Sequence, residues 1–96
     1  MSKKGYWIAE VDITDAEAFA GYVARVGPLL EKFGAKTIVR NGRSRSPEHP
    51  AGGHHVIVEF ESFEAALACY QTPEYTELVA LRAACSTTRF VIIEGL

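Results

Sequence analysis

The sequence predicts one α+β domain with the element order β-α-β-β-α-β. Three observations lead there. Four short runs, at 5–13, 35–40, 54–61 and 89–94, are rich in β-branched and aromatic residues. The stretches after the first and third runs carry apolar residues at three- and four-residue steps, the period of a helix. The chain has 96 residues, too few to enclose a second core.

Each element has its own signals. In the first strand, Trp7, Ala9, Val11 and Ile13 form an apolar face, and Tyr6, Ile8, Glu10 and Asp12 form the other. Thr14, with Glu17 three residues on, reads as a capping box that opens a helix. Phe19, Tyr22, Val23, Val26, Leu29, Leu30 and Phe33 continue that helix, with an irregularity expected at Gly27-Pro28. Gly34 is placed to end it in the left-handed conformation. The second strand follows, with Lys36, Ile38 and Arg40 on one face and Thr37 and Val39 on the other. Residues 41–53 are nearly all turn formers and predict a long hairpin loop. In the third strand His54, Val56, Val58 and Phe60 share a face, opposite His55, Ile57, Glu59 and Glu61. Ser62 caps a second helix, Thr72-Pro73 breaks it, and a new helical segment starts at Pro73 and carries Tyr75, Leu78, Val79 and Arg82. The order is that of a ferredoxin-like sandwich: a four-stranded antiparallel sheet, the first and third strands central, with two helices on one face.

Composition excludes several classes. Apolar residues at 48% and charged residues at 23% are those of a globular chain rather than a disordered one. A net charge of −2 argues against nucleic acid as a partner, because phosphate binding needs a basic face. The one basic cluster, Arg40, Arg43 and Arg45, lies at the glycine-rich loop, where it either solubilises or binds an anion. Cys69 and Cys85 have neither disulfide-framework nor metal-knuckle spacing and read as buried small side chains or free thiols. No apolar run is long enough for a signal sequence or a membrane span, so the expected location is cytoplasmic.

The helix layer covers one sheet face only. Trp7, Val11, Val56, Val58 and Phe60 are expected beneath it. The second face then holds Tyr6, Ile8, Glu10, Ile38, Arg40, Ile57 and Glu59, with Phe90 and Ile92 or Val91 and Ile93. It is too apolar to be left in water, which predicts a homodimer. Once covered, Glu10, Arg40 and Glu59 must pair with each other or serve a ligand, since an unpaired buried charge is costly. A desolvated carboxylate beside another can act as a general base. These three residues are therefore the catalytic candidates.

The run Tyr6-Trp7-Ile8-Ala9, then Asp15-Ala16-Glu17-Ala18-Phe19-Ala20-Gly21-Tyr22, Phe33-Gly34-Ala35, Val56-Ile57-Val58-Glu59-Phe60-Glu61-Ser62-Phe63-Glu64-Ala65-Ala66 and Pro73-Glu74-Tyr75 resembles the small family DUF1330 over nearly the whole chain. That family is similar to the dimeric α/β-barrel superfamily, in which two ferredoxin-like protomers bring their sheets together. Cofactor-free monooxygenases, muconolactone isomerases and relatives of chlorite dismutase share the architecture. The resemblance implies a dimer and supplies no activity. The chain departs from the family in having Gly34-Ala35 where a glycine pair is common, and in lacking a Leu-Glu-Gly segment after the second strand.

Two functional readings follow. One is a protein that binds or transforms a small organic acid or aromatic molecule without a cofactor, with Tyr22, His54, Tyr70 and Arg82 as ligand-binding residues. The other is a non-catalytic homodimeric binding or stress-associated module. His54 and His55 are adjacent and point to opposite faces of a strand, so no metal site is expected. Tyr22, Tyr70 and Tyr75 suit core aromatics with bonded hydroxyls. Arg82 suits a surface salt bridge to Glu59 or Glu64, or a substrate carboxylate.

Overall fold

A computed structural model describes residues 3–49 and 53–96, so Pro50, Ala51 and Gly52 of the expected loop fall outside the described residues. The elements are β1 (Gly5–Ile13), α1 (Ala16–Lys32), β2 (Lys36–Arg40), β3 (His54–Phe60), α2 (Phe63–Tyr70), α3 (Pro73–Cys85) and β4 (Ser86–Glu94). The four strands form one antiparallel sheet in the order β2-β3-β1-β4, with β1 and β3 central.

Local chemistry explains the boundaries. Asp15, not Thr14, caps α1: its carboxylate accepts from the Ala18 amide at 3.2 Å, while the Thr14 amide donates to the Cys85 carbonyl. The helix runs unbroken through Pro28, because Pro28 is exposed and the carbonyl it deprives of a partner, that of Ala24, lies on the solvent side. Gly34 ends the turn at φ 66°, where glycine avoids the steric cost of a Cβ. Ser62 Oγ and Thr72 Oγ1 accept from the amides three residues on and start α2 and α3 separately. The β4 strand begins three residues before its expected start, because Ser86, Thr87 and Thr88 pair with Ile13, Asp12 and Val11.

The core lies between the sheet and the helices. Trp7, Val58, Phe60, Ala66, Cys69, Tyr75, Leu78 and Cys85 are almost fully buried in it. Trp7 is at its centre, with ring contacts to Tyr75 at 4.8 Å, Phe60 at 4.9 Å and Phe90 at 5.3 Å, and its indole N–H donates to the Ala66 carbonyl. Gly5 lets β1 pass directly beneath the start of α2, where a Cβ would strike the Ser62 carbonyl and the Phe63 backbone.

One irregularity redirects a side chain. Thr37 stands opposite Val58, Val39 opposite Ile57 and Arg40 opposite Val56, so Ile38 is an extra residue in β2. Directly opposed residues share a face. Thr37 therefore joins Val58 under the helices, Val39 joins Ile57 outside, and Arg40 joins Val56 on the helix side. The expected grouping of Arg40 with Glu10 and Glu59 is thus corrected: strict alternation fails at the bulge. On β4 the choice left open by the sequence falls to Val91 and Ile93 on the outer face, opposite Ile8 and Tyr6, while Phe90 and Ile92 pack against the core.

Candidate functional site

Helix α1 packs closely on α3, and its backbone stands off the sheet. Between them lies a cavity of about 710 Å³, within the range that small-molecule sites occupy. Its walls are mostly apolar: Trp7, Val11, Val56 and Val58 from the sheet, Phe19, Val26 and Leu30 from α1, and Phe90 from β4. Four candidates from the sequence also line it, namely Tyr22, Arg40, His54 and Arg82.

Arg82 is the unusual member. Steps of three, four and three residues along α3 put Tyr75, Leu78, Arg82 and Cys85 on one buried stripe. Arg82 is consequently 7% exposed and is not a surface ion pair. Among the described residues the ion pairs are Lys4–Glu61, Arg25–Glu77, Lys32–Glu74 and Arg89–Glu10, and none involves Arg82. Its Nη1 donates to the Tyr75 hydroxyl at 2.7 Å, and its Nε finds no acceptor. The guanidinium lies over Phe90 at 5.1 Å, Tyr22 at 5.7 Å and Tyr75 at 5.9 Å. Ring faces and the C-terminal end of α3 both favour a cation there. Burial works against the charge, but the oxygens of Tyr75 and Tyr22 outweigh it and hold the guanidinium protonated. The result is a buried cation with no carboxylate, facing a cavity.

A second hydroxyl extends the group. Tyr22 Oη lies 2.6 Å from Tyr75 Oη. Burial above all, and then Tyr22, pushes the Tyr75 hydroxyl upward, so it is a neutral phenol rather than a counter-ion for Arg82. His54 also lines the cavity, its ring 5.3 Å from that of Phe19, which is itself 5.5 Å from Tyr22. Burial, and then the neighbouring His55, lowers the His54 pKa from its ordinary value, leaving a neutral imidazole at pH 7. Arg40 is exposed and lies at the rim, opposite Val56.

The remaining candidates are elsewhere. Glu10 and Glu59 face away from the cavity on the outer side of the sheet, and both are paired within the chain. Glu10 meets Arg89 at 3.9 Å, and Glu59 accepts from the Tyr6 hydroxyl at 3.1 Å. That bond, followed by burial, raises the Tyr6 pKa. Tyr70 does not line the cavity and instead packs its ring at a tilt against Tyr75 and Phe90. Among the described residues no cluster of histidine, cysteine and carboxylate side chains could hold a metal. Sequence reasoning ranked the carboxylates above Arg82. The signal it underused was the helical spacing from Tyr75 and Leu78, which already placed Arg82 on the buried stripe.

Sheet order, helix layer and cavity together define a ferredoxin-like α+β sandwich with a ligand-sized space beside a buried cation. The chain belongs to DUF1330, a domain of unknown function, whose family model matches residues 4–96. Among curated proteins none matches. A protein of unknown function from Rhodopseudomonas palustris is similar in structure, with TM-score 0.79 and 23% identity over 100% of this chain and 85% of that one. SnoaB, a cofactor-independent oxygenase from Streptomyces nogalater, gives TM-score 0.65 and 13% identity over 96% of this chain and 92% of that one. A dimeric ferredoxin-like protein of unknown function from Thermobifida fusca gives TM-score 0.65 and 10% identity over 98% and 92%. At such identities the likeness concerns the fold. No helix among the described residues is long and apolar enough to cross a membrane.

Proposed function

We propose that this protein binds a small apolar organic acid, aryl or alkyl, in the cavity between α1 and the sheet, and that it does so as a homodimer. The observation that carries the reading is Arg82, a buried guanidinium that lines the cavity and has no ion pair among the described residues. Removing a cation from water is costly unless an anion meets it. A ligand carboxylate is the anion of matching geometry, since a guanidinium offers paired donors to its two oxygens. The walls then take the apolar remainder of the ligand. The alternative, a non-catalytic module with structural polar residues, leaves the cavity without a purpose. It also leaves the buried charge of Arg82 without an anion.

The dimer is supported by the outer sheet face. Ile8 and Ile57 are half-buried there, and Val91 and Ile93 are each 47% exposed. A grouped apolar surface of this kind marks an interface, and a similar fold from Thermobifida fusca is dimeric. The cavity opens on the opposite side of the sheet, so dimerisation and ligand binding do not compete for one surface.

Thermal shift tests the reading. Benzoate, phenylacetate, hexanoate and octanoate are compared with their uncharged amides. At least one acid is expected to raise Tm while its amide does not. At a ligand concentration a hundredfold above Kd the stabilisation is about 2.7 kcal/mol, several degrees for a domain of this size. Equal shifts for acids and amides, or none for any acid, contradict the proposal.

A further inference from the structure

We infer that the cavity is arranged for proton transfer next to a carbonyl group of the bound acid, with His54 as the base and the Tyr22 hydroxyl as the donor to the oxygen on which charge develops. This adds an activity to the binding reading above and rests on it.

The direction of the hydrogen bonds carries the argument. Arginine only donates, so the Tyr75 oxygen accepts from Arg82 Nη1 at 2.7 Å. Tyr75 is fully buried, and the other oxygen bonded to its hydroxyl is that of Tyr22, at 2.6 Å. Its one proton must go there, because a buried hydroxyl left without an acceptor is costly. The Tyr22 oxygen is thus an acceptor within the chain, and its own proton is free. Since Tyr22 and Arg82 both line the cavity, the protein presents two donors there, joined in a chain whose far end carries a positive charge. Each link polarises the next toward the cavity. Such an arrangement stabilises an oxyanion as it forms.

A base is also present. His54 lines the same cavity, is neutral at pH 7, and its side chain makes no hydrogen bond or ion pair among the described residues. Its ring contacts Phe19, the residue whose ring also contacts Tyr22. A substrate lying against Phe19 would have both His54 and Tyr22 as neighbours. The step needs no oxidant and no cofactor. A C–H bond beside the carbonyl breaks and its proton passes to a His54 ring nitrogen. The electron pair becomes a carbon–carbon double bond, and the former carbonyl oxygen takes the charge and the Tyr22 hydrogen bond. Return of a proton from His54 to either end of the resulting enolate completes an exchange or an isomerisation. The substrate class is a 2-oxo acid or related acid with an acidic methylene, its carboxylate on Arg82.

The probe is phenylpyruvate, which has a carboxylate, an adjacent carbonyl, an acidic methylene and an aryl group. Loss of its methylene proton signal in D2O is followed by NMR, and binding is followed separately by thermal shift. The protein is expected to accelerate exchange roughly a hundredfold over buffer, the scale of a positioned base. H54Q is expected to bind phenylpyruvate and exchange at the buffer rate. Y22F is expected to bind and to exchange at least tenfold more slowly than wild type. If Y22F does not fold, because it strands the Tyr75 proton, H54Q decides alone, since His54 is only half-buried. Glu31, the one carboxylate lining the cavity among the described residues, is the rival base, and E31Q is measured beside H54Q. Binding without accelerated exchange overturns this inference and leaves the binding reading standing, as does exchange lost in E31Q and kept in H54Q. Absence of binding by both phenylpyruvate and the simple acids overturns the binding reading and this inference with it.

Discussion

At the scale of single residues, the molecule's most costly feature is Arg82. Apolar substitution of buried charged groups is often neutral or stabilising. Here the change would be mild for a specific reason: Tyr75 keeps Tyr22 as a hydrogen-bond partner when Arg82 is removed. A guanidinium that is 7% exposed and has no ion pair among the described residues is what motivates the proposed binding role. Cys69 is the opposite case. Burial, and secondarily Glu74, pushes its thiol up to about 12, so thiolate is scarce at pH 8. Ellman's reagent at pH 8 is accordingly expected to leave Cys69 unmodified in the folded protein and to react only after denaturation. Rapid reaction of the native protein at Cys69 would show that the buried setting is wrong.

At the scale of elements, most of the design was legible. The three helix starts have nearby side-chain caps, Gly34 and Thr72-Pro73 are unambiguous punctuation, and the faces of β1 and β3 follow strict alternation. What misled was local and physical. Thr14 and Asp15 are both competent caps, and a tertiary bond from the Thr14 amide to Cys85 decides between them. Gly27-Pro28 predicts an irregularity, yet α1 continues through it, because the exposed position of Pro28 makes the missing hydrogen bond cheap. The Ile38 bulge is set by the register against β3, which residues 36–40 alone do not encode, and it moves Arg40 from the outer face to the cavity rim. The candidate site suffered most from this. Glu10, Arg40 and Glu59 looked like one cluster, and the bulge divides them between two faces. A charge reversal tests the new placement. Arg40→Glu is expected to weaken binding of an acid several-fold, more at low than at high salt, because Arg40 is exposed and screened. Dimerisation should be unaffected. A variant with weakened dimerisation and unchanged acid binding would return Arg40 to the outer face.

At the scale of the whole molecule, the sheet separates two tasks. One side, with α1 standing off it, encloses the cavity. The other carries Ile8, Ile57, Val91 and Ile93, and its carboxylates are satisfied inside the chain by Arg89 and the Tyr6 hydroxyl. An apolar face whose carboxylates Glu10 and Glu59 have partners within the chain suits a second copy. Val91 is 47% exposed in the single chain, so Val91→Asp should leave the protomer folded. Sedimentation equilibrium at micromolar concentration is expected to give twice the chain mass for the wild type and a shift toward the single-chain mass for V91D. A wild-type monomer at that concentration would contradict the dimer.

The central claim is that Arg82 is a buried cation awaiting a ligand carboxylate, and Arg82→Met tests it most directly. Calorimetric titration with the best acid from the thermal-shift series, alongside thermal melting of both proteins, gives the two quantities needed. The account expects R82M to melt at or above the wild-type Tm and to lose binding by a hundredfold or more, about 2.7 kcal/mol. An R82M protein that binds the acid as tightly as wild type, or one that is strongly destabilised and shows Arg82 to be a structural residue, would contradict it.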